Sequence, residues 1–425
     1  MNRTSLLVRA AFATVVPLLL LMLLESTASA IPAFARQYGR DCQTCHVAFP
    51  KLTPFGEAFR RSGYRYPGGH DEDFLAAEPV FLGREQYKKL FPHTVWPGSL
   101  PSRVQLAAQI ALRADYVRDQ EPELSFANLG GGLTLNLATN FDQTFSAWAG
   151  VKFQSTTTGS VETEMERIFG VIKPFDDPIV TFRIGHFDPE LWGFSNHRTL
   201  GFAPWLMVTP VLDNPFTPHP AQNGIEAQGV VGAGRLTYSV GVVEGGGDRV
   251  NNFKDVYSRL AYKFGGMRLD GLEVSSQSAQ PWREKSLQIG AFGYFGQSAL
   301  GDPEVASQED RFVIAGGDAN ILWRDFNLIL AGGVGRNQRP SLIEPNEQAN
   351  SLHTMGQLDI VVYPWLIPTL RYERREIAGV VGQRASGGVY FLLRANVRTQ
   401  ILASAEGDAD ALDNQRVLAG LNIVL

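Results

Sequence analysis

A chain of 425 residues with 44% hydrophobic and 19% charged positions and a formal net charge of −5 is not composed like a nucleic-acid-binding protein, whose surface carries excess positive charge. Its mean hydropathy of −0.08 is too polar for a bundle of membrane helices, and after residue 30 no stretch approaches the roughly 18 apolar residues that a spanning helix needs. Any further contact with a membrane must therefore be made by strands.

Residues 1–30, MNRTSLLVRAAFATVVPLLLLMLLESTASA, place Arg3 and Arg9 around the start of a long apolar run and end in Ala28-Ser29-Ala30. A charged start, an apolar middle and a small-x-small site describe a cleaved secretory signal peptide; an uncleaved anchor is the alternative. Cleavage would leave Ile31 first and deliver the chain to an oxidising compartment.

Residues 31–75 contain both cysteines of the chain, in CQTCH at 42–46. A disulfide across two intervening residues would close a very small loop and constrain little. A thioredoxin-type site would need a surrounding βαβ pattern, and zinc would need two further close ligands with no third cysteine to supply one. C-x-x-C-H is the attachment sequence for c-type haem. Cys42 and Cys45 would form thioethers with the two vinyl groups, and His46 would be the proximal iron ligand. In the following VAFPKLTPFGEAFRRSGY, Thr53 is a helix N-cap, Pro54 suits the first helical position and Gly63 suits the end. Leu52, Phe55 and Phe59 then share a face that covers either a porphyrin edge or a small core, and a haem segment this small would be marginal without its cofactor. No methionine follows His46 before Met165. The candidate distal ligand is His70 in YPGGHDED, with His93 next and an open position as the alternative.

Residues 76–102 hold EPVFLGREQYKKL, a possible short helix, and FPHTVWPGSLP, whose prolines read as a linker. From Arg103 to Leu425 the texture is that of strands. RVQLAAQIALRADYV alternates Val104, Leu106, Ala108, Ile110, Leu112, Ala114 and Tyr116 with Arg103, Gln105, Gln109, Arg113 and Asp115. GVYFLLRANV opposes Val389, Phe391, Leu393 and Ala395 to Tyr390, Arg394 and Asn396. SLHTMGQLDIVV opposes Leu352, Leu358, Ile360 and Val362 to His353, Gln357 and Asp359, and VLAGLNIVL closes the sequence as a strand. Turns are expected at Gly232-Ala233-Gly234, Gly265-Gly266 and Arg324-Asp325. Long strands of this kind predict a transmembrane antiparallel β-barrel; a soluble β-sandwich is the alternative. The pattern counts to about 17 strands, and even numbers are the rule, so about 16 are expected, with the ambiguity between residues 250 and 297.

Residues 195–224, SNHRTLGFAPWLMVTPVLDNPFTPHPAQNG, are too long and proline-rich for a turn. An ordinary surface loop is the first expectation and an inward constriction carrying His197, Met207 and His219 the second.

The motif at 42–46, the adjoining FPKLTPFGEAF and the strand pattern together resemble the fused monohaem cytochrome–porins of the bacterial outer membrane, among them the iron oxidases of neutrophilic and acidophilic iron-oxidising bacteria. The resemblance implies a barrel whose lumen is plugged by the haem segment, one covalent haem c, an extracellular electron donor such as Fe(II), and a periplasmic c-type cytochrome as acceptor. It matches Cys42, Cys45 and His46 residue by residue and assigns no iron-binding residue. Three readings stay open: an electron conduit running inward or outward, a solute porin with a haem-bearing plug, and a soluble peroxidase-like haem protein.

Overall fold

The computed structural model describes residues 33–69, 71–74, 80–81, 99–100, 106–118, 129–141, 143–155, 160–218, 221–245, 253–271, 280–301, 308–344, 346–394, 396–408 and 411–424. The expected signal peptide, His70, His93, Arg103–Gln105, His219 and most of the expected linker lie outside the described residues.

Sixteen antiparallel strands close into a barrel in which each strand pairs with its neighbours in sequence. They are β1 (Leu106–Val117), β2 (Leu129–Asn140), β3 (Phe145–Ser155), β4 (Val161–Ile172), β5 (Thr181–Phe187), β6 (Gln222–Val231), β7 (Leu236–Val243) and β8 (Asp255–Gly265). There follow β9 (Glu284–Leu300), β10 (Gln308–Arg324), β11 (Phe326–Asn337), β12 (Ala349–Ile360), β13 (Leu366–Ile377), β14 (Val380–Arg394), β15 (Val397–Gly407) and β16 (Asn414–Val424). Pairing of β16 with β1, from Arg416 opposite Val117 to Val424 opposite Gln109, makes the closing seam.

The period-two pattern explains the two faces. In β1 the outward side chains include Leu106 and Leu112, about half exposed, whereas Ala107, Gln109 and Ala111 face the lumen. Ile225, Val240, Leu260, Val334, Leu370 and Ile401 continue the outward apolar surface around the barrel. The charges are inside, in buried pairs such as Arg183–Glu226 at 2.6 Å and Arg259–Asp318 at 2.5 Å. A core inverted in this way is built for lipid outside and polar contents within, as in outer-membrane barrels. It replaces the soluble-sandwich alternative. Exposed aromatics collect at the mouth that carries the short turns: Phe141 and Phe145, Phe175, Phe264, Trp323 and Phe326, Tyr363 and Trp365. Such a ring is the interfacial girdle of a spanning barrel.

The expected turns at Gly232–Gly234 and Arg324–Asp325 are present, and φ values of 59°, 54° and 77° at Gly232, Ala233 and Gly234 make the first a left-handed reversal; Gly265–Gly266, at φ 68° and 61°, do not form the expected tight turn but open a longer connection to β9. Two sequence readings shift. The GVYFLLRANV strand stops at Arg394, and Val397 opens the next strand, so a turn lies inside what reads as one run. β8 ends at Gly265 and β9 begins at Glu284, so the short-turn side carries one long interval between strands, which is why loop lengths alone put the strand count out of phase.

The segment before the barrel lies at this same mouth. It contains α1 (Ala33–Tyr38), the single turn α2 (Cys42–Cys45), a short ladder pairing His46–Ala48 with Lys51–Leu52, and α3 (Pro54–Arg61). Thr53 caps α3 by accepting from the Gly56 amide at 3.1 Å, and Gly63 follows the helix with φ 70°, as its sequence requires. Tyr38, Phe55, Phe59 and Tyr66 form its small core. Val80–Phe81 pair antiparallel with Ser99–Leu100 within the expected linker.

Residues 188–218, between β5 and β6, run into the lumen rather than over the surface. Leu191, Trp192, Phe194, Leu206, Met207 and Phe216 pack on the inward Tyr257, Phe292, Tyr294 and Phe312. Burying these large apolar and aromatic surfaces stabilises the inward course against the hydration that a surface loop would keep.

Candidate functional site

The C-x-x-C-H turn is held by α3. Thr53 Oγ1 donates to the Thr44 carbonyl at 2.6 Å, and the Thr53 amide donates to the Cys45 carbonyl at 2.9 Å. Gly56 permits the approach, because a Cβ there would stand 2.2 Å from the Cys45 oxygen. One threonine and one glycine thus set the distance between the cysteine turn and the helix.

Cys42 and Cys45 are free thiols, each partly open to a lumenal cavity. Protein encloses Cys45 on its other sides, and burial, followed by the nearby Cys42, pushes its thiol up to about 12. Burial raises Cys42 as well. His46 lines the same cavity, and its Nδ1 is enclosed without a hydrogen-bond partner. Burial lowers its pKa to about 4, although main-chain groups of Pro50 and Lys51 favour the charged ring. His46 is therefore a neutral imidazole with a lone pair to offer.

The cavity has a volume of about 480 Å³, inside the roughly 300–1,000 Å³ typical of ligand pockets. Leu52, Phe55 and Phe59 line it; Phe55 and Phe59 share a face of α3, whereas Leu52 stands before the helix in the short ladder rather than on the expected helical face. The opposite wall comes from β1–β4 and β14–β16 and carries Trp148, Arg167 and Arg398; the Arg167 guanidinium lies 4.3 Å over the Trp148 ring. Gln109 reaches this wall, whereas Arg113, from the same lumen face, lies beyond it beside Asp115 at 3.7 Å.

The inward loop closes a third side. Its Asn196–Arg198 turn brings His197 to the cavity, with Nε2 3.8 Å from Asp188 Oδ1. Met207 is instead buried in the loop's aromatic cluster and does not line the cavity. Among the described residues lining the cavity, His46 and His197 are the two histidines and there is no methionine. No group of three or more His, Cys, Asp or Glu side chains that could hold a metal ion occurs among the described residues.

Glu190 fastens the segment in place. Its Oε1 accepts from Arg60 Nη2 and Arg61 Nη2, each at 2.9 Å, and its Oε2 accepts from Arg60 Nη1 at 3.0 Å. Burial opposes the charge, yet Arg60, Arg61 and Arg198 outweigh it and hold the Glu190 carboxyl well below the usual carboxylate range. Glu57 is lowered by the same balance of burial against Arg60, Arg198 and Arg61. Elsewhere Lys51 bonds Asp359 and Asn327 on the wall, Asn140 donates to the Tyr64 carbonyl at 3.1 Å, and Ser146 donates to the Gly63 carbonyl at 2.9 Å.

Cys42, Cys45 and His46, singled out in the sequence, line one cavity together with Arg167 and Arg398, which sequence reasoning missed, as it missed Glu190. The alternation in β15 would have put Arg398 on the lumen face, but only with the turn before Val397 recognised.

No protein-family profile matches the sequence, and none of the curated proteins is detectably similar to it. Among solved structures the chain is similar to OmpT, an outer-membrane protein of Vibrio cholerae, in its in-vitro folded trimer form, with 10% identity and a TM-score of 0.51 over 76% of this chain and 99% of that one. The anion-selective porin from Comamonas acidovorans aligns at 12% identity and a TM-score of 0.49, over 76% of this chain and 99% of that chain. Salmonella typhi OmpF in complex with daunomycin aligns at 10% identity and 0.49, over 77% and 98%. The likeness is one of fold: a 16-strand porin-like barrel.

Proposed function

We propose that this chain is an outer-membrane electron conduit in which one c-type haem, carried on Cys42, Cys45 and His46, fills the lumenal cavity. The carrying observation is the placing of a complete C-x-x-C-H turn on the wall of a cavity of about 480 Å³ inside a spanning barrel. Cys42 and Cys45 would hold the group through thioethers, each S–H adding across a vinyl group with no oxidant needed. His46, next to Cys45, would offer its imidazole lone pair to the iron. His197, which the inward loop brings to the same cavity, would be a second ligand in this reading. When bound, the haem supplies one-electron chemistry; the surrounding residues orient it, exclude water and set its potential through burial and charge.

The electron enters from an extracellular donor, for which the sequence resemblance implies Fe(II), and leaves at the mouth with the short turns to a periplasmic c-type cytochrome. One haem is much shorter than the hydrocarbon layer of about 30 Å, so a second carrier must come to that mouth. Outer-sphere transfer of this kind would require no general acid or base from the chain.

The test uses outer membranes from cells that also express the c-type maturation machinery. Haem absorbance is recorded as isolated, after Fe(II) under argon, and after dithionite. Reduced c-type bands with Fe(II) alone support the inward conduit; bands with dithionite alone point to outward traffic. Absence of haem, with both thiols free to alkylation, would sink the proposal. The porin-like fold favours a second reading, a solute-conducting channel, and high single-channel conductance of the haem-loaded protein in planar bilayers would select it.

A further inference from the structure

The lumen holds many buried cations, and most meet a carboxylate: Arg183 with Glu226, Arg259 with Asp318, Arg384 with Glu373, Lys51 with Asp359. Arg371, without one, donates instead to Gln357 and to the carbonyls of Leu200 and Phe202. Arg398 differs. It is the second residue of β15 and 8% exposed, and its Nε and Nη1 are enclosed with no hydrogen-bond partner. Its guanidinium stands 5.1 Å over the Tyr390 ring, and no carboxylate among the described residues lies within ion-pair distance. Enclosing a charge without a partner is costly. A folded protein tolerates such a group where its counter-charge arrives with a ligand.

The place from which a counter-charge would come is the cavity, which Arg398 lines together with Cys45 and His46. The charge of Arg398 also reaches the His46 ring. We infer that Arg398 is the anion clamp of the cavity and receives a carboxylate of its occupant. Resting on the haem reading, that carboxylate is a haem propionate. Arg398 is then a positioning residue: it would hold the propionate edge of a haem whose in-plane orientation the two thioethers already set, and would raise the potential by placing a positive charge beside the ring. A guanidinium suits this role because its planar fork grips a carboxylate through two parallel bonds.

The experiment compares wild type, Arg398→Lys, Arg398→Gln and Arg398→Met, each purified from outer membranes with haem attached. Haem staining on denaturing gels and the axial-ligand absorbance bands are recorded first, then the midpoint potential. The clamp predicts equal covalent haem, unchanged ligand bands, and a potential that follows the charge. Lys stays near wild type, whereas Gln and Met shift the equilibrium about tenfold toward the oxidised form, about 59 mV for one electron. Should the methionine variant not fold, Lys against Gln carries the same comparison. Equal potentials across the series, with haem bound, would overturn the clamp and leave Arg398 as a stacking partner of Tyr390 while the conduit stands. A wild-type protein without covalent haem would overturn both, and the haem stain separates that outcome from the first.

Discussion

Glu190→Ala removes the carboxylate that Arg60 and Arg61 share. Glu190 is 3% exposed and Arg61 is 6% exposed. Arg60 would keep Glu57 at 3.1 Å, but Arg61 would lose its ion-pair partner while still enclosed. Breaking a buried pair from one side costs about 3–5 kcal/mol. That cost falls on the seating of the segment, since the barrel ladders do not involve Glu190. Between seated and unseated forms, it amounts to roughly two to three and a half orders of magnitude. Single-channel recording reads it directly: the variant should show long open events that wild type lacks, and trypsin should cut after Arg60 or Arg61. A second substitution, Arg61→Met, should recover much of the loss by removing the orphaned charge. Glu57→Gln is the control, because its carboxylate is more exposed and each of its partners also lies near Glu190; about 1 kcal/mol is expected. If Glu190→Ala stays closed and protease-resistant, the pairing does not hold the segment in place and the argument fails.

Acid should act on the same lock. Glu190 is held below its free value of about 4.3, so its contribution is complete above that pH and is lost only as pH falls through the lower, seated value. Conductance at pH 5 should therefore equal that at pH 7, with opening confined to strongly acid solution; opening near pH 6 would contradict this. Gly56→Ala should lower covalent haem yield several-fold on a haem-stained gel although alanine favours helices, because its Cβ would press on the Cys45 carbonyl. His197→Ala should convert a low-spin haem spectrum to a high-spin one, and His70→Ala should leave it unchanged; the reverse pattern assigns the distal position to His70.

The parts of this molecule with short-range causes were legible in the sequence. Thr53, Pro54 and Gly63 mark the ends of α3 because capping is decided within a few residues. The strands of β1 and β12 are visible because lipid on one side and a polar lumen on the other force strict alternation. The break between Arg394 and Val397 was hidden because the apolar texture of VYFLL leads straight up to it, and its concealment also hid Arg398. The inward course of residues 188–218 was out of reach for another reason: Trp192 and Phe216 are buried by Phe292 and Phe312, which lie about a hundred positions away in sequence. Glu190 looks like any loop acid until α3 is set beside it.

The seam between β1 and β16 has a further meaning for the cavity. Gln109 on one side donates to Asn422 on the other at 3.1 Å, and both line the space beside His46, as does Val424. The attachment residues are made near the beginning of the chain, yet part of the wall facing them is the last strand to be made. A ribosome that has released only the first fifteen strands has written the anchor but not the room. Completion of the site therefore coincides with closure of the barrel, and a chain cut short before Asn414 would carry the motif in a cavity left open along the β16 side.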